Sequence, residues 1–476
     1  HEDLAKVTIT TFADSKKISF PNDEPGYENS RCNIPNGNWI AQENAKPGID
    51  LDGHQWRDID FKNAIGSALW LNKTSVSCGD SIDIHASLYQ VQSGSSLNKT
   101  FHVLRIGWYS GAGAREVWSS SPIKLTKRRI NQAKNNLRMI DTNWPTTLQV
   151  QIGSDWTPGF YLVASEDEKG KVESVAPFIL RSPRGVSKIL LSHSFLTWNL
   201  YNSFGGRSAY FGSGSSNMER RKDRSRVVSL DRPIVGSGGF SIHRDGVSMV
   251  QFLEKYGINY DQDSDINLDR FPNVISNYNE LILSGHAEYM TRRIFESIIA
   301  ARNSGVNIAI FGGNTALWQT RTTESKIGKN RRIIMYRIAN EDPITDRREV
   351  SIEFRDPRLN IPQTLFTGTM PSGTHVYGTF KSVAIPKWLK IPKGSTIDGI
   401  SPDSEIEAQV PNNPASPTNI HTIFSGIMKY ADPSAIPAKM SKNPIAEVIW
   451  FTDSNGQATF NAGLTTWPCN FVDNCA

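Results

Sequence analysis

Residues 279–321 read NELILSGHAEYMTRRIFESIIAARNSGVNIAIFGGNTALWQTR, and the fold turns on this run. Residues 281–283 and 306–311 are apolar pieces of strand length. Between them, residues 291–303 carry Ile294, Phe295, Ile298 and Ile299 at helical spacing, with Gly305 following as a C-cap candidate. Strand, helix, strand predicts a βαβ unit with a right-handed crossover. In open α/β sheets ligands gather beyond the carboxyl ends of the strands. Those ends here carry Ser284, Gly285, His286, Ala287, Glu288 and Tyr289, and then Gly312, Gly313 and Asn314. The run predicts a cleft without naming a substrate.

Upstream the pattern differs. Residues 67–72, 81–89, 100–108, 147–152, 159–165 and 176–181 are short alternating segments with turn signals between them. They predict an antiparallel β-sandwich. Residues 1–53 are rich in Asn, Pro and Gly and predict an irregular arm on that domain. Residues 181–185 (RSPRG) form the linker, dividing the chain into 1–183 and 184–476. In the second part, residues 187–192 predict a strand leading to His193, and residues 247–256 predict a helix ending at Gly257. A short strand is expected at residues 259–261. Residues 322–445 predict a β-rich excursion before a closing strand at 446–452. The overall expectation is an α/β fold joined to an all-β domain.

At 476 residues with a formal net charge of +5, the chain is a globular protein expected to form two domains. The basic cluster at residues 219–226 (ERRKDRSR) reads as a solvated loop, because no aromatics interleave with it, so nucleic acid is not an expected partner. No run approaches the ~18 apolar residues of a membrane span. The four cysteines are Cys32, Cys78, Cys469 and Cys475. They pair most simply as 32–78 and 469–475, although three pairings are open. With His1 in place of an initiator Met, this favours a secreted or periplasmic protein.

The order and spacing of many blocks carry a family resemblance. In the first part they are residues 105–115 (RIGWYSGAGAR), 155–163 and 177–181. In the second they are 197–202 (TWNLYN), 205–210 (GGRSAY), 230–233 (LDRP), 285–289 (GHAEY), 305–309, 313–321 and 461–463 (NAG). The chain resembles the family of N,N-dimethylformamidase large-subunit-like proteins. That resemblance implies a β-sandwich ahead of a doubly wound α/β catalytic domain related to class I glutamine amidotransferases. It implies amide hydrolysis at a mononuclear ferric iron, with another divalent metal as the alternative. Carried over residue by residue, the metal ligands fall on Tyr201, Tyr210 and Glu288, with His286 close by. The sequence departs from the family pattern at Ala287, where most relatives have Asp or Pro, and at Met290, where they have Trp.

The residue types suit that chemistry. Phenolate and carboxylate oxygens form a hard, anionic set that fits ferric iron better than zinc. In an extended segment His286 and Glu288, two residues apart, face one side. His286 then serves as general base or orients the water. His193, at a strand's carboxyl end, and Asn314, as an oxyanion donor, are further catalytic candidates. Trp198, Arg232 and Arg321 are candidates for substrate binding. Each has a structural alternative. Glu288 could cap the following helix, Tyr201 and Tyr210 could be packing aromatics, and His193 could be a satisfied core histidine. Glycines 312 and 313 could simply permit a turn at Asn314, while Arg232 and Arg321 could pair with Asp231 and Glu324. No Gly-x-Ser-x-Gly elbow appears, and the run 284–288 holds no cysteine. Expected partners are a small-molecule or surface-polymer substrate and a second copy of the chain in a homo-oligomer. The competing functional reading is a surface or glycan-binding protein with altered chemistry. A glycosidic or ester hydrolase is third, with Glu288 and Asp231 as its acid pair.

Overall fold

The computed structural model describes residues 32–34, 38–50, 62–133, 135–183, 186–397, 404–436, 440–470 and 472. Most of the N-terminal arm and Cys475 lie outside the described residues. Cys32 and Cys78 form a disulfide, as the simplest pairing expects. Within the arm, Trp39–Asn44 is a helix whose Asn38 side chain accepts from the Ala41 N–H.

In the first part, two antiparallel sheets share an apolar core. One contains Gly66–Leu71, Ser81–Tyr89 and Leu148–Gln151; the other is built around Ser96–Ile106, Gly159–Glu166 and Val172–Leu180. Ile82, Ile84 and Val150 of the first sheet pack in one cluster with Val103, Tyr161, Val163 and Phe178 of the second. The alternate residues Phe160, Leu162 and Ala164 point the other way, into the large core that also holds Leu190, Leu281 and Ile308. The strand Gly159–Glu166 is therefore buried on both faces, because each face has its own apolar partner.

The second part is organised by a nine-stranded sheet. Its order is Asp261–Ser264, Ile189–His193, Glu280–Gly285, Asn307–Gly312, Ala458–Asn461, Ile445–Thr452, His421–Ile427, Phe380–Ser382 and Thr396–Ile397. The first five strands are mutually parallel and the rest antiparallel. The parallel half contains the βαβ unit, with the helix Arg292–Asn303 between Glu280–Gly285 and Asn307–Gly312. The chain leaves Ile189–His193 for a strand on one side and returns to a strand on the other. Beyond the carboxyl ends of Ile189–His193 and Glu280–Gly285 this reversal opens the crevice where ligands gather.

Several local expectations change. The basic segment is not a loop but the helix Asn217–Lys222, held by a capping box between Ser216 and Glu219. The short strand is Asp261–Ser264, a few residues beyond residues 259–261. The helix expected at 247–256 is Ser248–Lys255, preceded by a π-turn, Ile242–Val247. The segment 322–445 does more than leave the sheet, since three of its strands form the sheet's antiparallel edge.

Candidate active site

Two loops of the crevice are tied to each other. The Glu280–Gly285 strand ends at Gly285 with φ +66°, and a Cβ there would overlap Asp245 of the π-turn. Asp245 in turn accepts from the backbone N–H of His286 at 3.3 Å, and its carbonyl accepts from the Ser284 hydroxyl at 2.8 Å. The chain then runs extended into the strand Tyr289–Thr291, paired in parallel with Trp318–Thr323. The carbonyls of Ala287 and Glu288 accept from the backbone N–H groups of Ala316 and Trp318 at 2.9 and 3.0 Å. The helix that follows is capped by Thr291, whose side chain accepts from the Ile294 N–H. Glu288 is therefore not the helix cap. It lies on the stretch between strand and helix, its side chain directed into the crevice.

The two tyrosines reach it from the crevice's other side. Tyr201 closes the helix Phe195–Leu200. The Ala209 N–H donates to the Leu200 carbonyl at 3.0 Å, which returns the chain so that Tyr210 stands beside Tyr201, ring centroids 4.3 Å apart. The intervening turn is held by Arg232, fully buried, which donates to the carbonyls of Asn202, Phe204 and Arg207. The Tyr210 hydroxyl lies 2.7 Å from that of Tyr201 and 2.6 Å from both oxygens of Glu288. Trp318 Nε1 donates to Glu288 at 3.1 Å. The Arg337 guanidinium lies 3.6 Å over the Tyr210 ring and donates to the Tyr289 hydroxyl.

His286 Nε2 lies 3.5 Å from Glu288 and 3.1 Å from Glu405. Glu405 belongs to the strand Ser404–Ala408. It is brought in because Leu464 and Thr465 bind the backbones of Gly312 and Glu405 respectively, and its carboxylate accepts from the Asn314 side chain. Burial opposes a charge on His286, but the carboxylates of Glu405 and Glu288 outweigh it and raise the imidazole above its ordinary value. Burial likewise works against the Glu405 carboxylate, yet His286 and Arg244 hold it below the usual range. Histidine and glutamate form an ion pair. Burial, reinforced by the Glu288 carboxylate, pushes Tyr201 well above the usual phenol range. Tyr210 is pushed the same way by burial, which outweighs the opposing Arg337 charge.

Among the described residues no three His, Cys, Asp or Glu side chains group as a metal site; the converging set here is two phenols and one carboxylate. As it stands the phenols keep their protons and hand them to oxygen neighbours. A hard cation in their place would take the same three oxygens, so the donor chemistry fits ferric iron.

The chain's relatives can now be stated. The family described as N,N-dimethylformamidase beta subunit-like, C-terminal, matches residues 100–476. This chain belongs to that family. No curated protein matches it. Among solved structures, it is similar at 14% identity and a TM-score of 0.17 to a Pseudomonas fluorescens alkylpurine DNA glycosylase, AlkC, bound to DNA containing an abasic site analog; 25% of this chain and 31% of that one are covered. A Paenibacillus cycloisomaltooligosaccharide glucanotransferase complexed with cycloisomaltoheptaose aligns at 6% identity and a TM-score of 0.20. That alignment covers 56% of this chain and 57% of the other. The chain thus spans about a third and somewhat over half of those two proteins.

In this dimethylformamidase-like chain the remaining candidates sit elsewhere. His193 bonds Gln262 at 2.8 Å and packs on Phe160 and Trp198. Burial lowers its pKa to about 4. Trp198 is a core residue against Phe160 and Phe195. Arg232 binds backbone carbonyls, while Asp231 pairs with Arg331 at 2.8 Å. Arg321 pairs with Asp342, at 2.7 and 2.8 Å, instead of Glu324. Asn314 has φ +53° and spends its amide on Glu405. Glu405, Arg244 and Arg337 are the residues that reading the sequence missed. Glu405 lies on a short strand far in sequence from the βαβ run, and only backbone pairing brings it near.

Proposed function

We propose that this chain hydrolyses a C–N bond of an amide, with a ferric iron held by Tyr201, Tyr210 and Glu288. The observation that carries the reading is the convergence of those three side chains within 2.6 and 2.7 Å, beside an imidazole–carboxylate pair. The bound metal would polarise the amide carbonyl and acidify a water. In the neutral form that a base requires, reached once the ion pair's own proton has left, His286, with Glu405 behind it, takes the water's proton as the water oxygen bonds to the carbonyl carbon. It returns that proton to the departing nitrogen as the C–N bond breaks, leaving a carboxylic acid and an amine. Asn314 fixes Glu405, and Arg337 and Trp318 fix Tyr210 and Glu288, so the charges are oriented before substrate arrives. The same reading takes the parallel sheet, with its reversal of strand order, as a doubly wound, glutamine-amidotransferase-like domain, and the two sheets before it as a β-sandwich. The Cys32–Cys78 disulfide supports an oxidising, extracytoplasmic compartment.

The test is metal analysis of the purified chain together with turnover of simple amides, starting from N,N-dimethylformamide. Near-stoichiometric iron, lost with all turnover in Glu288→Ala, is the expected result. Full activity in a metal-free Glu288→Ala protein overturns the proposal.

A further inference from the structure

A second cavity, with walls of mixed polar and apolar character, lies outside the tyrosine cluster, between the first part of the chain and the segment following the strand Trp318–Thr323. Its volume is about 280 Å³, and its lining includes Trp70, Asn131, Asp141, Asp231, Ile327 and Arg332. None of these residues belongs to the tyrosine–glutamate cluster.

The cavity's lining combines two unused donors with a buried carboxylate. Trp70 is 2% exposed, yet its indole N–H has no hydrogen-bond partner among the described residues, and neither has the buried Nε of Arg332. Asp141 is also buried. One of its oxygens accepts from the Thr142 N–H at 2.8 Å, the Asn143 backbone also holds the carboxylate, and Arg332 lies 4.0 Å from the second oxygen. Unpaired buried polar atoms are costly, and each one calls for an explanation. Here two donors without acceptors belong to residues lining the same cavity as a buried carboxylate. One group that serves both is a hydroxyl, with one O–H to give and two lone pairs to accept.

Charge and size narrow the ligand further. Arg331 binds Asp231 at 2.8 Å from behind and Arg332 faces Asp141; among the lining residues themselves the acids Asp141 and Asp231 are matched by Lys326 and Arg332, so the lining has no excess sign to attract an ion. A volume of about 280 Å³ lies just under the ~300–1,000 Å³ of pockets for drug-sized ligands. Asn143, Gln132 and Ser325 add uncharged polar groups, Ala133 and Met139 add apolar surface, and Lys326 is an exposed lining residue. We propose that this cavity binds a small, neutral, polyhydroxylated ligand, a single sugar ring or cyclic polyol, through Asp141, Trp70 and Arg332. Its walls come from both parts of the chain, so such a ligand bridges them.

The experiment is saturation-transfer NMR and calorimetric titration of the full chain with D-glucose, D-galactose, D-mannose, N-acetylglucosamine and myo-inositol. Each is used to ~10 mM, enough to detect a Kd near 1 mM. Binding of at least one ring compound is expected, weakened about 10-fold or more in Asp141→Asn. Metal content and amide turnover should stay as in the wild type, which separates this site from the tyrosine cluster. Asn143→Ala, at an exposed lining residue, gives a second variant should Asp141→Asn fold poorly, and it should weaken binding in the same direction. No binding by any of the five compounds, or binding that neither substitution weakens, overturns the proposal and leaves the cavity to water.

Discussion

At the scale of single residues, the tyrosine pair depends on a side chain that never touches it. Arg232 holds the carbonyls of the turn joining Tyr201 to Tyr210, and burial lowers its own pKa to about 9. A lysine has no planar fork for three carbonyls. Arg232→Lys is therefore expected to weaken metal retention by ~10–100-fold, the usual effect of losing a residue behind a ligand, as read by chelator competition. Retention equal to the wild type would count against the role. His193 gives a second, separate prediction. Its native pKa of about 4 lies below the ordinary 6.5, so from pH 6.5 down to 4 the unfolded chain binds a proton that the native one does not. Stability from this group is full above pH 6.5 and falls by about 3 kcal/mol across that window. In urea denaturation at pH 7 and pH 4.5, His193→Gln should show a smaller loss than the wild type. An equal loss would assign the acid sensitivity to other groups. Glu288 and His286 were legible in the sequence because they sit together at a strand end. Glu405 was not, since Asn314, the site residue whose side chain it accepts from, lies 91 positions away in the sequence.

At the scale of elements, the βαβ unit was legible because apolar periodicity and the glycine that follows the helix, Gly305, agree on its bounds, while its N-cap, Thr291, emerged only in the structure. The π-turn was not. Its six residues, IHRDGV, carry no periodic signal, and the turn exists because Gly285 leaves room for Asp245 against the strand end. π-bulges are rare and frequent at functional sites. Gly285→Ala therefore combines an L residue at φ +66° with an overlap on Asp245. The strain alone is ~1–3 kcal/mol. The expected outcome is a lower denaturation midpoint together with lost metal, because the overlap displaces the loop that carries His286 and Glu288. A variant that keeps wild-type stability and metal content would show that the loop tolerates the displacement. The basic helix Asn217–Lys222 shows the opposite failure. Its capping box, Ser216 to Glu219, was written in the sequence but lay within a charge cluster that reads first as a loop.

For the whole molecule, the linker at residues 181–185 divides the sequence by pattern, yet packing runs across it. The large core joins Leu104, Phe160 and Leu162 with Leu190, Leu253 and Leu281. At the same junction Arg105, fully buried, donates to both oxygens of Glu254 at 3.0 and 2.7 Å and to the Tyr109 hydroxyl at 3.0 Å. Asn44 of the arm's helix reaches the same glutamate at 2.9 Å. Arg105 and Tyr109 belong to one of the blocks that carry the family resemblance. Their contacts show that block holding the two parts together, at a distance from the chemistry. A sequence reading sees only polar residues in a strand and turn, because the partner Glu254 lies 149 positions away. With this shared core, calorimetry should record a single unfolding transition for the wild type. Glu254→Ala leaves the Arg105 guanidinium buried without its carboxylate, a loss that typically costs ~3–5 kcal/mol. The first part should then unfold at a lower temperature than the parallel sheet, splitting the endotherm in two while bound metal stays with the later step. Two well-separated transitions already present in the wild type would instead mean that the parts fold independently and that the buried pair only aligns them.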